Sequence, residues 1–217
     1  MRKGMFWITG LLAATVSMTA AATDPVEAIR TKDVELQKLL RTKDAPGKID
    51  RLKILINGIF DFEELGKRAL GPATWGKMTP KQQTRFVQAF RSMIENSSVK
   101  RLDAYLNDST RYEAPETEGE KSSVTAHVFS KGSQSVVVYK LLMKQGAWKA
   151  WDLVIDDLST AGNYGDQFKK ILAKNTVDAL ITKVEQKAKG DASSKTADNV
   201  KSRSGGQTAA KKSSSGA

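Results

Sequence analysis

Residues 135–158 read SVVVYKLLMKQGAWKAWDLVIDDL, and this stretch decides the fold class. Val137, Tyr139, Leu141 and Met143 recur at every second position, which is the period of a half-buried strand. Gln145-Gly146 follows Lys144 and supplies a tight turn into a second strand from Trp148 to Leu158. Two such runs joined by two turn residues predict an antiparallel hairpin. Upstream, Val124, Ala126 and Val128 alternate with Ser123, Thr125 and His127, so a third strand precedes the hairpin.

The flanks change period. Asp24-Pro25-Val26-Glu27 combines a capping carboxylate, proline at the first helical position and glutamate three residues after the cap. Val26, Ile29, Leu36, Leu39 and Leu40 then follow at helical spacing. After Pro46-Gly47 a second helix buries Ile49, Leu52, Leu55 and Ile56. Asp61-Phe62-Glu63-Glu64 opens a third, which Gly71-Pro72 ends. Thr79-Pro80-Lys81-Gln82 starts the longest helical stretch, with Phe86, Val87, Phe90, Met93 and Ile94 on one face. Val99, Leu102, Tyr105 and Leu106 share another face, and the change falls at Asn96-Ser97-Ser98, poor helix formers that predict a bend or break. Helices resume at 164–173 and 176–187. The expected class is α+β: helical 24–108, strands 110–158 and helices 160–188, with a twisted antiparallel sheet packed on helices.

The ends are different in kind. Residues 1–22 carry Arg2 and Lys3, an apolar run from Phe6 to Ala14 and the small residues Ala20-Ala21-Ala22, the pattern of a cleavable secretory signal. Later stretches fall short of a spanning apolar segment, so the mature chain is expected to be soluble. Residues 189–217 are Lys, Ser, Ala and Gly with almost no apolar content, and are expected to be disordered.

The formal charge of +11 does not mark a nucleic-acid binder. Residues 23–182 hold 25 basic and 21 acidic side chains in alternation rather than in a stripe. Cysteine is absent, which excludes thiol catalysis, thiolate metal sites and a lipoprotein anchor, and His127 is the only histidine, so no multi-histidine metal site forms within one chain. Neither a P-loop nor a dinucleotide fingerprint is present. Glu63-Glu64 is explained by helix capping, and Asp156-Asp157 sits at a strand end. Asp152 interrupts an apolar strand between Trp151 and Leu153 and needs a donor if buried. The residues therefore predict neither catalytic nor metal sites, and no cofactor.

Two segments carry a resemblance. Residues 60–95, FDFEELGKRALGPATWGKMTPKQQTRFVQAFRSMIE, and residues 148–172, WKAWDLVIDDLSTAGNYGDQFKKIL, together resemble the MlaC family, also called the toluene-tolerance or Ttg auxiliary family. The elements are Asp61-Phe62, Leu70-Gly71 with Trp75 beyond, and Thr79-Pro80 leading to Gln83, Phe86 and Phe90. In the second segment they are Trp148, Trp151-Asp152, Ser159 and Asn163-Tyr164 followed by Gln167-Phe168. The similarity runs from about residue 25 to 188. The chain departs from the family at Gly165, where an arginine is usual, at Asp157, where glycine is favoured, and near Ser98, where an aromatic is favoured.

The resemblance implies an NTF2-like sheet joined to a multi-helix subdomain over residues 23–188, with an apolar pocket between them. It implies a periplasmic phospholipid carrier, part of an ABC lipid-transport system and of outer-membrane lipid asymmetry. The implied partners are an outer-membrane lipoprotein–porin complex and an inner-membrane complex of MCE-domain ring, permease and ATPase. A monomer without nucleic-acid partner is expected. Two acyl chains of about 15 methylenes each cost about 24 kcal/mol to expose to water, so such a carrier needs a hollow apolar interior and no catalytic group. Candidate lining residues are Leu65, Phe86, Phe90, Met93, Leu102 and Tyr105 from helices, with Val137, Tyr139, Leu141, Met143, Trp151 and Val154 from the sheet. Trp151 and Val154 lie on opposite faces of a regular strand, so both line one cavity only if a bulge intervenes. The alternative is an exported isomerase or lyase with Asp152 or His127 as base in an apolar pocket. A third reading is an adaptor with a filled core.

Overall fold

A computed structural model describes residues 24–42, 46–100 and 105–190; the expected signal, Leu102 and nearly all of the expected tail lie outside these residues. Asp24 accepts a hydrogen bond from the Glu27 N–H at 3.0 Å and starts α1, Pro25–Arg41. Helix α2 is Lys48–Ile59, α3 is Phe62–Leu70, capped by the Asp61 carboxylate on the Glu64 N–H at 3.0 Å, and α4 is the single turn Pro72–Trp75. A reciprocal cap opens α5, Pro80–Lys100: Gln82 N–H donates to Thr79 Oγ1 and Thr79 N–H to Gln82 Oε1.

The strands follow: β1 Ser109–Tyr112, β2 Glu116–Glu118, β3 Lys121–Ser130, β4 Ser133–Lys144, β5 Ala147–Ile155 and β6 Leu158–Ser159. They form one antiparallel sheet in the order β1-β3-β4-β5-β6, with β2 also paired to β3. Helix α6, Thr160–Leu172, and helix α7, residues 177–190, complete the described chain.

Turn chemistry sets the register. Lys131-Gly132, Gln145-Gly146 and Asp156-Asp157 all have both central residues at positive φ, the geometry of two-residue hairpins whose twist matches the strands. The pairing of β4 with β5 shifts once: Lys140 opposes Asp152 while Leu141 opposes Ala150, leaving Trp151 as the extra residue of a bulge. One face of the sheet therefore carries Tyr112, Val124, Ala126, Val137, Tyr139, Leu141, Met143, Trp148 and Ala150. Helices α1 and α2 pack on that side. The other face carries Lys121, Ser123, Lys140, Asp152 and Val154.

The outer edge of β5 is closed twice. Beta strand β6 pairs with Val154 and Ile155, and the elbow between α2 and α3 runs alongside Ala150, whose carbonyl accepts from the Asp61 N–H at 2.8 Å. Helices α3 and α6 meet β5 next to this edge, bringing the second helical layer with them.

Two expectations are corrected. Helix α5 runs unbroken through Asn96-Ser97-Ser98, because the Asn96 amide donates to the Ala188 carbonyl at 3.0 Å and Ser97 Oγ to the Ile94 carbonyl at 3.1 Å. An Asn96 amide engaged by Ala188 no longer competes with the helix ladder, so the expected break is absent. Ile49, expected inside, is exposed in the first turn of α2.

Candidate functional site

The apolar residues divide into two layers. In the helical layer Leu65, Phe86 and Phe90 have no exposed surface and Met93 is 2 % exposed. Phe86 stacks on Phe90 at 5.5 Å between centroids, and Phe168 meets both edge-on at 5.5 and 5.4 Å. Tyr164 adds a perpendicular contact to Phe90 at 4.9 Å. Offset-stacked and edge-on pairs are the favourable aromatic geometries. The fit is close enough that a β-carbon at Gly66 would stand 2.9 Å from the Phe86 ring. These four candidates fill a core.

The sheet layer, like the helical one, has a buried centre and a partly exposed rim. Val26 and Ile29 of α1 meet Val124, Leu141, Trp148 and Ala150, all buried, and Tyr139, Met143, Tyr112, Ile59 and Phe60 around them keep accessible surface. Val137 is buried on the same face. Burial, helped by the Asp33 carboxylate, pushes the Tyr139 phenol far above the usual tyrosine range. Phe60 belongs to the margins of both layers and joins them, its ring 5.6 Å from that of Phe62.

The structure does not bring Tyr105, Trp151 or Val154 to either layer. Leu102 lies outside the described residues. Tyr105 is 37 % exposed, and its carbonyl accepts from the Gln37 amide at 2.7 Å. The bulge places Trp151 on the side of Lys140 and Val154, opposite Val137, Tyr139, Leu141 and Met143. There the guanidinium of Arg68 lies over the Trp151 ring at 3.8 Å, a cation–π contact. Arg68 also pairs with Glu64 at 2.8 Å.

Sequence reading missed the polar surroundings of α1. A cavity of about 440 Å³ runs between α1 and the start of the sheet, lined by Arg30, Asp33, Lys38, Arg41, Asp108 and Tyr112 among others. Asp33 accepts from the hydroxyls of Thr110 at 3.2 Å and Tyr112 at 3.0 Å, which clips α1 to β1. Burial and the Asp33 charge raise the Tyr112 phenol strongly. The signal was present as charges at positions 30, 33, 38 and 41 of one amphipathic helix, but such a stripe reads by default as a solvated face. A second cavity of about 380 Å³ lies by Lys121, Lys140, Arg68 and Trp151, with Glu116 and Glu118 among its walls.

Asp152 is 4 % exposed and fully used. Its carboxylate accepts from Ser159 Oγ at 2.6 Å, the Ala161 N–H at 2.8 Å and the Leu153 N–H at 2.9 Å. Ser159 in turn caps α6 through the Gly162 N–H at 2.9 Å, so Asp152 ties β5 to the start of α6. Three donors satisfy this buried carboxylate and account for its place in an otherwise apolar strand. His127 sits between Glu113 and the Gln134 amide on β3, and neither it nor Asp152 lines either cavity. Among the described residues no cluster of three His, Asp or Glu could hold a metal, and no helix is long and apolar enough to cross a membrane.

Comparison with known proteins agrees with this architecture. A solved phospholipid-binding protein from Ralstonia solanacearum, in complex with a phospholipid, superposes with a TM-score of 0.65 at 20% identity, covering 77% of this chain and 96% of that one; the likeness establishes the fold. The toluene tolerance protein ttg2D of Pseudomonas putida is 25% identical over 176 residues, 77% of this chain and 82% of that protein. The intermembrane phospholipid transport system binding protein MlaC of Haemophilus influenzae is 25% identical over 134 residues, 59% of this chain. That alignment spans 62% of the Haemophilus protein, less than two thirds of its length. The profile of the MlaC protein family matches residues 30–186, from the second turn of α1 into α7. The chain therefore belongs to the MlaC family.

Proposed function

We propose that this chain is a periplasmic phospholipid carrier that holds acyl chains against the apolar face of its sheet. In this reading it shuttles lipid between an outer-membrane lipoprotein–porin complex and an inner-membrane MCE-domain, permease and ATPase complex. The supporting observation is a continuous apolar sheet face, in a chain of the MlaC family whose fold is shared with a protein solved in complex with a phospholipid. Phe86, Phe90, Leu65 and Met93 are buried in a close-packed cluster, whereas Tyr139 and Met143 on the sheet face keep accessible surface. A carrier needs apolar area that tails can replace water on, at about 25 cal/mol per Å², and a filled core offers none.

Val137, Tyr139, Leu141 and Met143 from the sheet, with Val26 and Ile29 from α1, are the proposed tail contacts. The helical candidates serve as the rigid wall behind them. Such a role needs no general base, in keeping with the commitment of Asp152 to α6. Export through the N-terminal signal would deliver the chain to the compartment between the two membranes. The test is native mass spectrometry of the full chain expressed with its leader in a Gram-negative host. Phospholipid retained at about one molecule per chain is expected; stable protein that is repeatedly free of lipid would refute the proposal.

A further inference from the structure

The groove along α1 carries a second chemistry beside the apolar layer. Arg30, Lys38 and Arg41 line it, and Asp33 and Asp108 are the carboxylates among its walls, leaving one positive charge in excess. Lys38 has no ion-pair or hydrogen-bond partner for its ammonium among the described residues. Arg41 uses one N–H on the Asn107 carbonyl and Arg30 one on Glu27, so each guanidinium keeps donors free. The carboxylates are occupied by comparison: Asp33 Oδ2 holds two hydroxyls, and Asp108 Oδ2 holds the Lys131 N–H at 2.7 Å.

This groove adjoins the apolar face. Tyr112 lines it and also packs against the cluster of Val124, Leu141 and Trp148. On the same face Tyr112 opposes Ala126, which opposes Val137, one step from Tyr139. A molecule with tails against the sheet reaches the groove by passing the Tyr112 hydroxyl. The second cavity carries the same formal excess, but its cations are engaged: Arg68 pairs with Glu64 and lies over Trp151, Lys140 donates to Ser123 Oγ, and Lys121 stands cross-strand from Glu118.

We infer that the groove between α1 and β1 is a headgroup subsite, in which Lys38, flanked by Arg30 and Arg41, takes the phosphodiester of the phospholipid whose tails lie on the sheet. The inference rests on the carrier reading above. Anionic oxygens favour such a partly screened cationic groove, and the uncharged remainder of the headgroup stays in water.

The test uses the full-length protein stripped of lipid and reloaded with phosphatidylglycerol or with diacylglycerol bearing the same fluorescent tail. Dissociation into phosphatidylcholine vesicles is timed for wild type, Lys38→Glu and Lys38→Arg. Lys38→Glu should release phosphatidylglycerol about three- to fivefold faster, as expected for one partly exposed charge contact. Diacylglycerol release should be unchanged, and Lys38→Arg should restore the wild-type rate. Equal acceleration of both lipids, or of neither, overturns the subsite while leaving the carrier reading intact. A wild-type protein that loads neither lipid removes the carrier reading itself. Saturable binding of inorganic phosphate to the lipid-free protein, lost in Lys38→Glu with no effect on phosphatidylglycerol release, would make the groove a free-anion site and also overturn the inference.

Discussion

Gly165 of α6 lies so close to the carbonyl of Ala69 in α3 that a β-carbon at 165 would stand 3.0 Å from that oxygen. The missing side chain is what lets the two helices approach. The obstacle is backbone, so it cannot swing aside as a flexible side chain would.

Gly165→Ala should therefore destabilise the protein although alanine is the better helix former by about 1 kcal/mol. Overpacking of this kind costs about 1–3 kcal/mol, which outweighs or cancels the propensity gain. Thermal unfolding should show a midpoint no higher than wild type and up to about 5 °C lower. A clear rise would mean that α3 and α6 separate freely.

The opposite outcome is expected at Asp157, which holds φ 65° in the β5–β6 turn. A left-handed conformation strains a residue with a β-carbon, and Asp157→Gly should stabilise by about 0.5–1 kcal/mol. Asp156→Gly should not, because the Asp156 carboxylate accepts from the Val136 N–H at 2.8 Å and that bond would be lost. Paired urea titrations of the two variants check the difference.

Alkaline pH should unfold the sheet side. Tyr112 and Tyr139 are both raised above the free tyrosine value by burial first and by the Asp33 charge next. Their folded pKa values exceed the unfolded ones, so the stabilisation is complete below about pH 10 and is lost as pH rises through the folded values. Absorbance at 295 nm should show a late tyrosinate step that coincides with loss of circular dichroism. Replacing both residues with phenylalanine should remove that step.

The two apolar layers should respond differently to substitution. Met143→Trp fills accessible space on the sheet and should cut retained lipid by at least half with little loss of stability. Phe86→Leu should cost about 1–2 kcal/mol yet leave lipid per folded molecule unchanged. Mass spectrometry and thermal melts on both variants decide the matter, and the reverse pattern would place the tails in the helical layer.

Much of the framework was legible because it is written in local signals. Asp24, Asp61 and Thr79 announce their helices through side chains that act within one turn, and Gln145-Gly146 fixes a hairpin through its own dihedrals. The site was harder. Leu65, Phe86, Phe90 and Met93 have the same apolar character whether they fill space or border it, and only Gly66 beneath Phe86 betrays the tight fit. The bulge at Trp151 leaves no mark in the alternation except the misplaced-looking Asp152, whose partners Ser159 and Ala161 lie seven and nine residues on. The continuity of α5 depends on Ala188, far along the chain, and no window around Asn96 contains that information.

The closure of β5 by the α2–α3 elbow has a consequence for the proposed carrier role, in which greasy surface opens to hand over cargo. Unpaired strand margins are templates for clumping. Here the long margin is already sealed by Asp61 and β6, and the opposite one is shared between two short segments, β1 and β2, on either side of Pro115. A carrier of this build would stay dispersed when emptied, because its sheet offers a neighbour no continuous ribbon to join.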